Sequence, residues 1–352
     1  MILVQSHCGG VLIESDRETV DTLGDLCHDF LAVSTVAGHS DTRWPSVIGV
    51  ATAPTDGDWE RVVYASDHEL ARTLFVDHAG RKILVPGPPG PWRTLHMLRA
   101  VRNILRWEAF VAGDLFLHAG MIAINDRGVV FSGAKRTGKT TAILAGLLFA
   151  GTRLVANDAL TVREEGGRLI GYGWPRSITA RRETLLALQE WMPELMRRLP
   201  YGAHPTNSWP GPHNEAQDVT HAENVPRTVW LYPAELMQAV DAGISKGAPL
   251  TAIVFPQFDD AVHEPVLELL DEATAQTLLA ANVESKAVYF DEFLDRWYRD
   301  TGVARRRQLQ DRVLRTIPFY RLRQNMSCAR AAALLVRETV GGGLVHGQSF
   351  VD

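Results

Sequence analysis

Cysteine is scarce in this 352-residue chain. Its three cysteines, Cys8, Cys27 and Cys328, lie far apart, and no Cys-x-x-Cys pair occurs. An odd number of distant cysteines argues against a disulfide framework and against a cysteine-based zinc site. We therefore expect a protein of a reducing compartment, located in the cytoplasm.

Long apolar runs are also missing. The longest, Ala142–Ala150, is far shorter than the roughly 20 residues that cross a bilayer. The first residues, Met-Ile-Leu-Val-Gln-Ser-His-Cys, lack the basic flank of a secretory signal. We expect no membrane partner.

An excess of positive charge is absent as well. Lysine and arginine total 36 against 41 aspartates and glutamates, a net charge of −5, so no general nucleic-acid partner is expected. With 46% hydrophobic and 22% charged residues, the composition is that of a globular protein. At roughly 100–200 residues per domain, the length predicts two or three domains.

A change of pattern near residue 90 divides the sequence. Short strand-like runs before it predict a small α+β domain over residues 1–90, which ends in the Pro- and Gly-rich stretch Leu84–Trp92. Apolar residues at helical spacing then predict an amphipathic helix over Trp92–Phe110. We assign residues 91–340 to a second domain and 341–352 to a frayed tail.

The second domain alternates strand and helix patterns. A hairpin is predicted around Asn125–Gly128, a helix over Thr140–Ala150, a strand over Arg153–Ala156 and a long surface loop over residues 193–228. The remaining predicted elements are the hairpin Leu160–Arg163 with Arg168–Tyr172, the strands Thr228–Tyr232, Leu250–Phe255 and Phe319–Arg323, and the helices Ala273–Val283, Phe290–Thr301, Arg306–Arg315 and Ala329–Val340.

The most specific motif follows the first of these hairpins. It matches G-x-x-x-x-G-K-[ST], the Walker A pattern of a loop whose backbone amides surround nucleotide phosphates. An apolar strand ends just before it and a helix begins within it, which is the context that this motif requires. The motif residues are Gly133, Ala134, Lys135, Arg136, Thr137, Gly138, Lys139, Thr140 and Thr141.

Individual residues of this loop have expected roles. We expect Lys139, as an exposed loop lysine, to contact the β- and γ-phosphates, and the Thr140 hydroxyl to bind Mg²⁺. The expected cofactors are ATP and Mg²⁺.

Two further polar residues border strands near the loop. Asn157 and Asp158 directly follow the predicted strand Arg153–Ala156. Asp158 is therefore expected at the sheet edge where ligands bind in such folds. It is interpreted as a Mg²⁺ ligand or as the group that accepts a proton from an attacking hydroxyl. His118 ends the apolar run before the loop. It is expected as a catalytic residue that supports the acceptor where Asp158 contacts Mg²⁺, although the sequence does not fix its position near the same edge.

Four segments in this order resemble the catalytic domain of HPr kinase/phosphorylase. That family has a histidine, a short hairpin, a phosphate loop, a helix and a strand that ends in an acidic pair. The matching segments are His118-Ala119-Gly120, Gly128–Gly133, Gly138–Thr141 and Gly151–Asp158.

The resemblance implies an α/β fold of the phosphoenolpyruvate-carboxykinase-like type: a phosphate-loop domain of the HPr kinase C-terminal kind with a mixed sheet, here preceded by the small α+β domain. It also implies ATP, Mg²⁺ and phosphoryl transfer to a hydroxyl. In the family the acidic pair supplies the catalytic base, whereas this chain has Asn157 at the first position. The family's later Glu-Ile-Arg-Gly signature is replaced by residues 171–177.

The resemblance also implies a biological setting, because relatives of this divergent kind often accompany peptide natural-product maturation. The expected function is therefore an ATP-dependent kinase acting on a hydroxyl of a peptide, protein or small metabolite. Arg176, in the loop after a strand, is a weaker candidate for contacting the phosphoryl group or the acceptor. A nucleotide-gated scaffold without transfer, suggested by Asn157, and a plain hydrolase are the alternatives, and a homo-oligomer stays open.

Overall fold

The fold is that of a computed structural model, which describes residues 1–36, 43–66, 69–210, 227–288 and 291–341. The predicted tail from residue 342 onward and residues 211–226 of the predicted long loop lie outside these ranges. Among the helices of the described ranges, none combines the length and the apolar character needed to cross a bilayer.

The described residues form both β-strands and α-helices, and runs of several strands separate many of the helices. The strands are β1 (Ile2–Gln5), β2 (Gly10–Glu14), β3 (Ala32–Thr35), β4 (Ser46–Val50), β5 (Glu60–Ser66), β6 (Glu69–Asp77), β7 (Lys82–Pro86), β8 (Leu115–Leu117), β9 (Ala119–Ile124), β10 (Arg127–Ser132), β11 (Arg153–Ala156), β12 (Leu160–Glu165), β13 (Arg168–Tyr172), β14 (Ile178–Arg181), β15 (Thr228–Leu231), β16 (Gly243–Ile244), β17 (Gly247–Phe258), β18 (Val266–Leu269) and β19 (Phe319–Gln324). The α-helices are α1 (Arg17–His28), α2 (Pro91–Val111), α3 (Lys139–Phe149), α4 (Arg182–Gln189), α5 (Leu195–Arg198), α6 (Pro233–Ala239), α7 (Glu272–Ala280), α8 (Val303–Thr316) and α9 (Ala329–Val336).

The chain forms two compact units whose segments interleave. The first unit consists of Met1–Phe116, Trp174–Ala239 and Glu284–Leu309, and the second of Leu117–Gly173, Val240–Val283 and Gln310–Asp352. This division differs from the predicted break near residue 90, because α2, which follows that break, packs against β2, β4 and β7, which precede it.

A seven-stranded sheet organises the first unit. Its strand order is β3-β1-β2-β4-β7-β6-β5. Its buried side chains include Val4, Val11, Val47 and Ile83, none of which has measurable exposure. The apolar residues of α2 are buried as well, so this helix completes the core of the first unit.

The polar face of α2 is buried too, which its amphipathic pattern does not predict. A surface helix exposes its polar residues to water. In α2, however, His96, Asn103 and Arg106 are only 5–6% exposed. Residues of α2 are therefore buried on both its apolar face and its polar face.

A mixed sheet organises the second unit. Its strands follow the order β16-β11-β9-β10-β17-β13-β12, and β19 pairs with β17 and β18. The predicted hairpin around Asn125–Gly128 is confirmed, since β9 and β10 pair antiparallel from Ile124↔Arg127 to Ala119↔Ser132. Strand β11 also runs antiparallel to β9, and β17 runs parallel to β10.

Two sequence predictions differ from the structure in the first unit. The predicted long loop contains α5 and a 3₁₀ turn, Pro205–Ser208. Asn207 orders this segment, because its side chain donates to the carbonyls of Tyr201 and Trp230 and accepts from the Trp230 N–H at 2.8 Å. The predicted helix Phe290–Thr301 is reduced to a short 3₁₀ turn, Glu292–Arg296.

Glu108 on α2 gives the first unit a pH-dependent stability. Burial raises the pKa of its carboxyl from 4.5 to about 7, against the opposing effects of the Tyr298 hydroxyl and the Arg81 charge. The folded protein therefore holds a proton that the unfolded chain releases between these two values, and stability falls as pH rises through this range.

We expect Glu108→Gln to remove this loss, which amounts to roughly 3 kcal/mol between pH 4.5 and pH 8 at about 1.4 kcal/mol per pKa unit. Urea unfolding at several pH values measures it. Glu18→Gln, on an exposed face of α1, is the matched control and should follow the wild type. An unchanged pH dependence in the Glu108 variant would contradict this explanation.

Candidate functional site

Strand direction brings the predicted site residues of the second unit to one edge of its sheet. Because β10 and β11 both run antiparallel to β9, their C-terminal ends lie beside the N-terminal end of β9. His118 directly precedes β9, the loop that begins at Gly133 follows β10, and Asp158 follows β11. The sheet edge therefore collects a histidine, a glycine-rich loop and a carboxylate from three neighbouring strands.

The loop from Gly133 to Gly138 connects β10 to α3 through left-handed backbone conformations. Gly133 has φ 138°, Arg136 has φ 73° and Gly138, which immediately precedes α3, has φ 103°. A Cβ at Gly138 would also lie 3.0 Å from the Phe258 ring, so glycine is required there on two grounds. The predicted strand–loop–helix context of the motif is confirmed.

Lys139 folds back onto the loop that precedes it. Its Nζ donates to the carbonyl of Gly133 at 2.7 Å and to that of Ala134 at 3.1 Å. The prediction of an exposed lysine is wrong, because the residue is only 8% exposed. Burial lowers the pKa of the ammonium, and the nearby Asp158 carboxylate opposes that shift.

The other motif residues lie partly at the exposed tip of the loop and partly in the first turn of α3. Ala134, Lys135 and Arg136 are exposed at the tip of the loop. Thr137 donates its hydroxyl to the Ala134 carbonyl at 3.0 Å, which closes the turn. Thr140 and Thr141 stand in the first turn of α3, where backbone N–H groups lack helical partners and attract anions.

His118 and Asp158 form a pair at the same edge. The Nε2 atom of His118 lies 3.0 Å from Oδ1 of Asp158. Their side chains are 43% and 32% exposed, so both are accessible to a ligand. The charge of Asp158 also acts on Lys139, which places the carboxylate close to the loop.

Asn282, a residue that the sequence analysis missed, connects these parts. Its Oδ1 accepts the Gly133 N–H at 3.1 Å, and its backbone carbonyl accepts the His118 N–H at 2.9 Å. Its Nδ2 donates to the Leu278 carbonyl at 2.8 Å, which fixes the side chain. Asn282 follows α7, more than a hundred residues beyond the loop, and no motif marks it.

Gly120 brings β9 unusually close to the end of β11. A Cβ at this position would lie 2.3 Å from the backbone carbonyl of Asn157 and 2.2 Å from the Ile143 side chain. Glycine at 120 therefore sets the spacing between His118 and Asp158.

Two amides at the site lack partners. The Oδ1 atom of Asn157 is buried and has no hydrogen-bond partner among the described residues. Gln324, 1% exposed at the end of β19, likewise leaves its Nε2 without a described partner, 3.5 Å from where a Cβ of Gly138 would lie. Both therefore retain hydrogen-bonding capacity that a bound ligand or water can use.

Oxygen donors at this edge suit a hard divalent cation. Magnesium is coordinated by carboxylate, hydroxyl and phosphate oxygens. Asp158 offers a carboxylate and Thr140 a hydroxyl, and the free Oδ1 of Asn157 adds a neutral oxygen acceptor. The residues present therefore fit Mg²⁺.

Arg176 is not among the residues that the second unit brings together. It lies in the first unit, between β13 and β14, and its side chain is exposed. Its expected role in contacting the phosphoryl group or the acceptor stays a prediction.

Comparison with known proteins places the chain at the margin of recognisable similarity. No protein family model and no curated protein matches it. Among solved structures, the HPr(Ser) kinase/phosphatase from Coxiella burnetii is similar at 12% sequence identity, over 64% of this chain and 94% of that chain, with a TM-score of 0.27. The likeness is distant at that score, and the function is inferred from the residues of this chain.

Removing the Asn282 side chain should loosen the loop. In Asn282→Ala the buried Gly133 N–H loses its acceptor, which costs roughly 1–3 kcal/mol of stability. Faster hydrogen exchange at the Gly133 amide should accompany that loss. Asn282→Asp retains an oxygen acceptor and is the control, with protection closer to the wild type. Equal protection of Gly133 in the alanine variant and in the wild type would show that this bond does not hold the loop.

Proposed function

We propose that this protein is an ATP- and Mg²⁺-dependent kinase that transfers the γ-phosphate to a hydroxyl of a peptide, protein or small metabolite. The observation that supports it most is the Gly133–Gly138 loop that leads from β10 into α3, with the His118–Asp158 pair at the same sheet edge. A glycine-rich loop before a helix provides backbone amides for phosphates, and the adjacent pair provides groups that can handle the proton of an attacking hydroxyl.

The nucleotide phosphates are proposed to bind along this loop. Backbone N–H groups of the loop and of the first turn of α3 face the anion, and the helix dipole adds positive potential. In the structure the Lys139 ammonium donates hydrogen bonds to the carbonyls of Gly133 and Ala134. Phosphate oxygens are stronger acceptors for an ammonium than neutral carbonyls, so Lys139 is expected to exchange these partners for the β- and γ-phosphates.

The cation is proposed to bind to Thr140 and Asp158. Mg²⁺ supplies neutralisation of the charge that develops on the phosphates during transfer. A cation at Asp158 would offset the negative charge of this carboxylate, so Asp158 would attract the Lys139 ammonium less strongly.

In the transfer step, the acceptor oxygen bonds to the γ-phosphorus while the bond from phosphorus to the bridging oxygen of ADP breaks. The hydroxyl proton must leave the acceptor as this bond forms. Asp158 is proposed to accept it directly; in the other arrangement Asp158 holds the cation and His118 supports the acceptor. The 3.0 Å contact between the two side chains means that each residue orients the other in both cases.

A nucleotide-binding scaffold is the second candidate. The residue before Asp158 is an asparagine, whose side-chain amide cannot take up a proton at neutral pH. A protein that binds ATP without transferring phosphate would need the loop but no catalytic base.

Lys139→Ala should abolish phosphoryl transfer and weaken ATP binding while the protein stays folded. The substitution removes the charge expected on the phosphates, and it also relieves the cost of burying an ammonium. Titration calorimetry with ATP and Mg²⁺ measures the affinity, and circular dichroism the fold. Lys246→Ala, at an exposed position before β17, is the matched control. Wild-type activity of the Lys139 variant would refute the proposal.

Asp158→Asn and His118→Ala separate the two proton-transfer arrangements. If Asp158 is the base, the asparagine variant should lose roughly 10²–10⁴ in turnover with ATP affinity nearly unchanged. If Asp158 is a cation ligand, the same variant should instead need more Mg²⁺ to reach half-maximal rate. Turnover as a function of Mg²⁺ concentration makes the distinction. Wild-type turnover in Asp158→Asn together with an inactive His118→Ala would exclude Asp158 as the base.

A further inference from the structure

The buried polar face of α2 in the first unit consists largely of positively charged residues. Positions three and four apart lie on the same side of a helix, so His96, Arg99, Arg102, Asn103 and Arg106 share one face. Burial lowers the pKa of His96 to about 4, so this histidine is neutral and the charge of the face comes from its arginines. Arginine is almost never buried unless it is paired.

Three arginines around this face have carboxylate partners. Arg106 binds Glu284 at 2.5 Å and donates from Nε to the Ala287 carbonyl at 3.0 Å. Arg99 pairs with Glu69.

The third pair reaches α2 from strand β6. Arg72 binds Asp291 at 3.0 Å, and the same carboxylate accepts a hydrogen bond from the Asn103 side chain at 2.7 Å. Arg72 therefore lies beside the part of α2 that carries Arg102.

Arg102 is the exception among these arginines. It has no hydrogen bond or ion pair with any residue that the structure describes, although it stands between Arg99 and Arg106 on the helix. As a whole residue, Arg102 is half-buried. Burial lowers its pKa well below the usual range, and the charges of Arg176, Arg99, Arg106 and Arg72 act in the same direction.

Arg176 approaches this face from the segment between β13 and β14. Two residues before it, the Trp174 ring lies 5.9 Å from the guanidinium of Arg106. The charges of Arg72, Arg99, Arg106 and Arg176 all act on Arg102, so these five arginines lie near one another. Three of the five are paired with the carboxylates Glu69, Glu284 and Asp291. We call these five residues the arginine cluster.

We propose that the arginine cluster is a binding site for an oxyanion, the carboxylate or phosphate group of a ligand, with Arg102 as its central contact. A guanidinium presents a planar fork of donors that matches either group with two parallel hydrogen bonds. The three paired arginines are held in place by their carboxylates, which leaves Arg102 to meet the ligand. The site lies wholly within the first unit and does not depend on phosphoryl transfer.

The cluster predicts an unusual relation between stability and binding. In the absence of an anion, a half-buried positive charge among like charges opposes folding. Arg102→Gln should therefore leave the Tm unchanged or raise it by a few degrees. An arginine that only supports the fold would lower the Tm when replaced.

The test measures Tm and affinity with inorganic phosphate and with succinate at low ionic strength, where charge interactions are least screened. All variants carry Lys139→Ala, so that phosphate binding at the Gly133–Thr141 loop is reduced equally. We expect at least one probe to raise the Tm of this parent and Arg102→Gln to weaken its binding roughly tenfold or more. A response to phosphate alone identifies a phosphoryl ligand, and a response to succinate alone a carboxylate ligand.

Two further variants make the result specific. Arg102→Lys keeps the charge without the planar fork and should bind more weakly than arginine without the gain in Tm. Arg17→Gln, on the exposed face of α1, is the control and should leave both quantities unchanged. The proposal is overturned if neither probe stabilises the parent, or if Arg102→Gln lowers the Tm and retains the response to both probes.

Discussion

Strand β9 lies between β10 and β11 and runs antiparallel to both, and the arrangement of the second unit depends on this constraint. It directs the ends of β10 and β11 and the beginning of β9 to one edge. Gly120 allows the close approach of β9 to the end of β11, and Asn282 then joins the loop after β10 to the residue before β9. Together these contacts place His118, Asp158 and the Gly133–Gly138 loop side by side.

The two units treat positive charge in contrasting ways. In the second unit the Lys139 ammonium donates hydrogen bonds to two carbonyls of its own loop. In the arginine cluster of the first unit three arginines are paired with carboxylates, whereas Arg102 has no such partner among the described residues. In both arrangements burial lowers the pKa of a positively charged group, which opposes folding with that charge in place.

Much of the second unit could be predicted from the sequence, because its signals are local. The turn at Asn125–Gly128, the glycines of the loop and the short apolar strand before Asp158 each specify their own conformation within a few residues. The contact between His118 and Asp158 depends in addition on the pairing of β9 with β11, which these local signals do not specify.

The rest depends on contacts between distant segments, which a single sequence does not reveal. Asn282 reaches Gly133 across 149 residues, and Asn207 orders a segment whose composition resembles a loop. The polar face of α2 has the pattern of a surface helix, and only its tertiary packing shows that it is buried. The burial of Lys139 is likewise a property of the folded loop and not of the motif.

The fate of the γ-phosphate tests the central claim most directly. The protein is incubated with ATP, Mg²⁺ and hydroxyl-bearing peptides and metabolites, and ³¹P-NMR and mass spectrometry follow both nucleotide and acceptors. The kinase proposal predicts that ADP forms together with an acceptor that has gained one phosphate on a hydroxyl. ATP that is bound but not consumed, or free phosphate as the sole phosphorus product beside ADP, would contradict it.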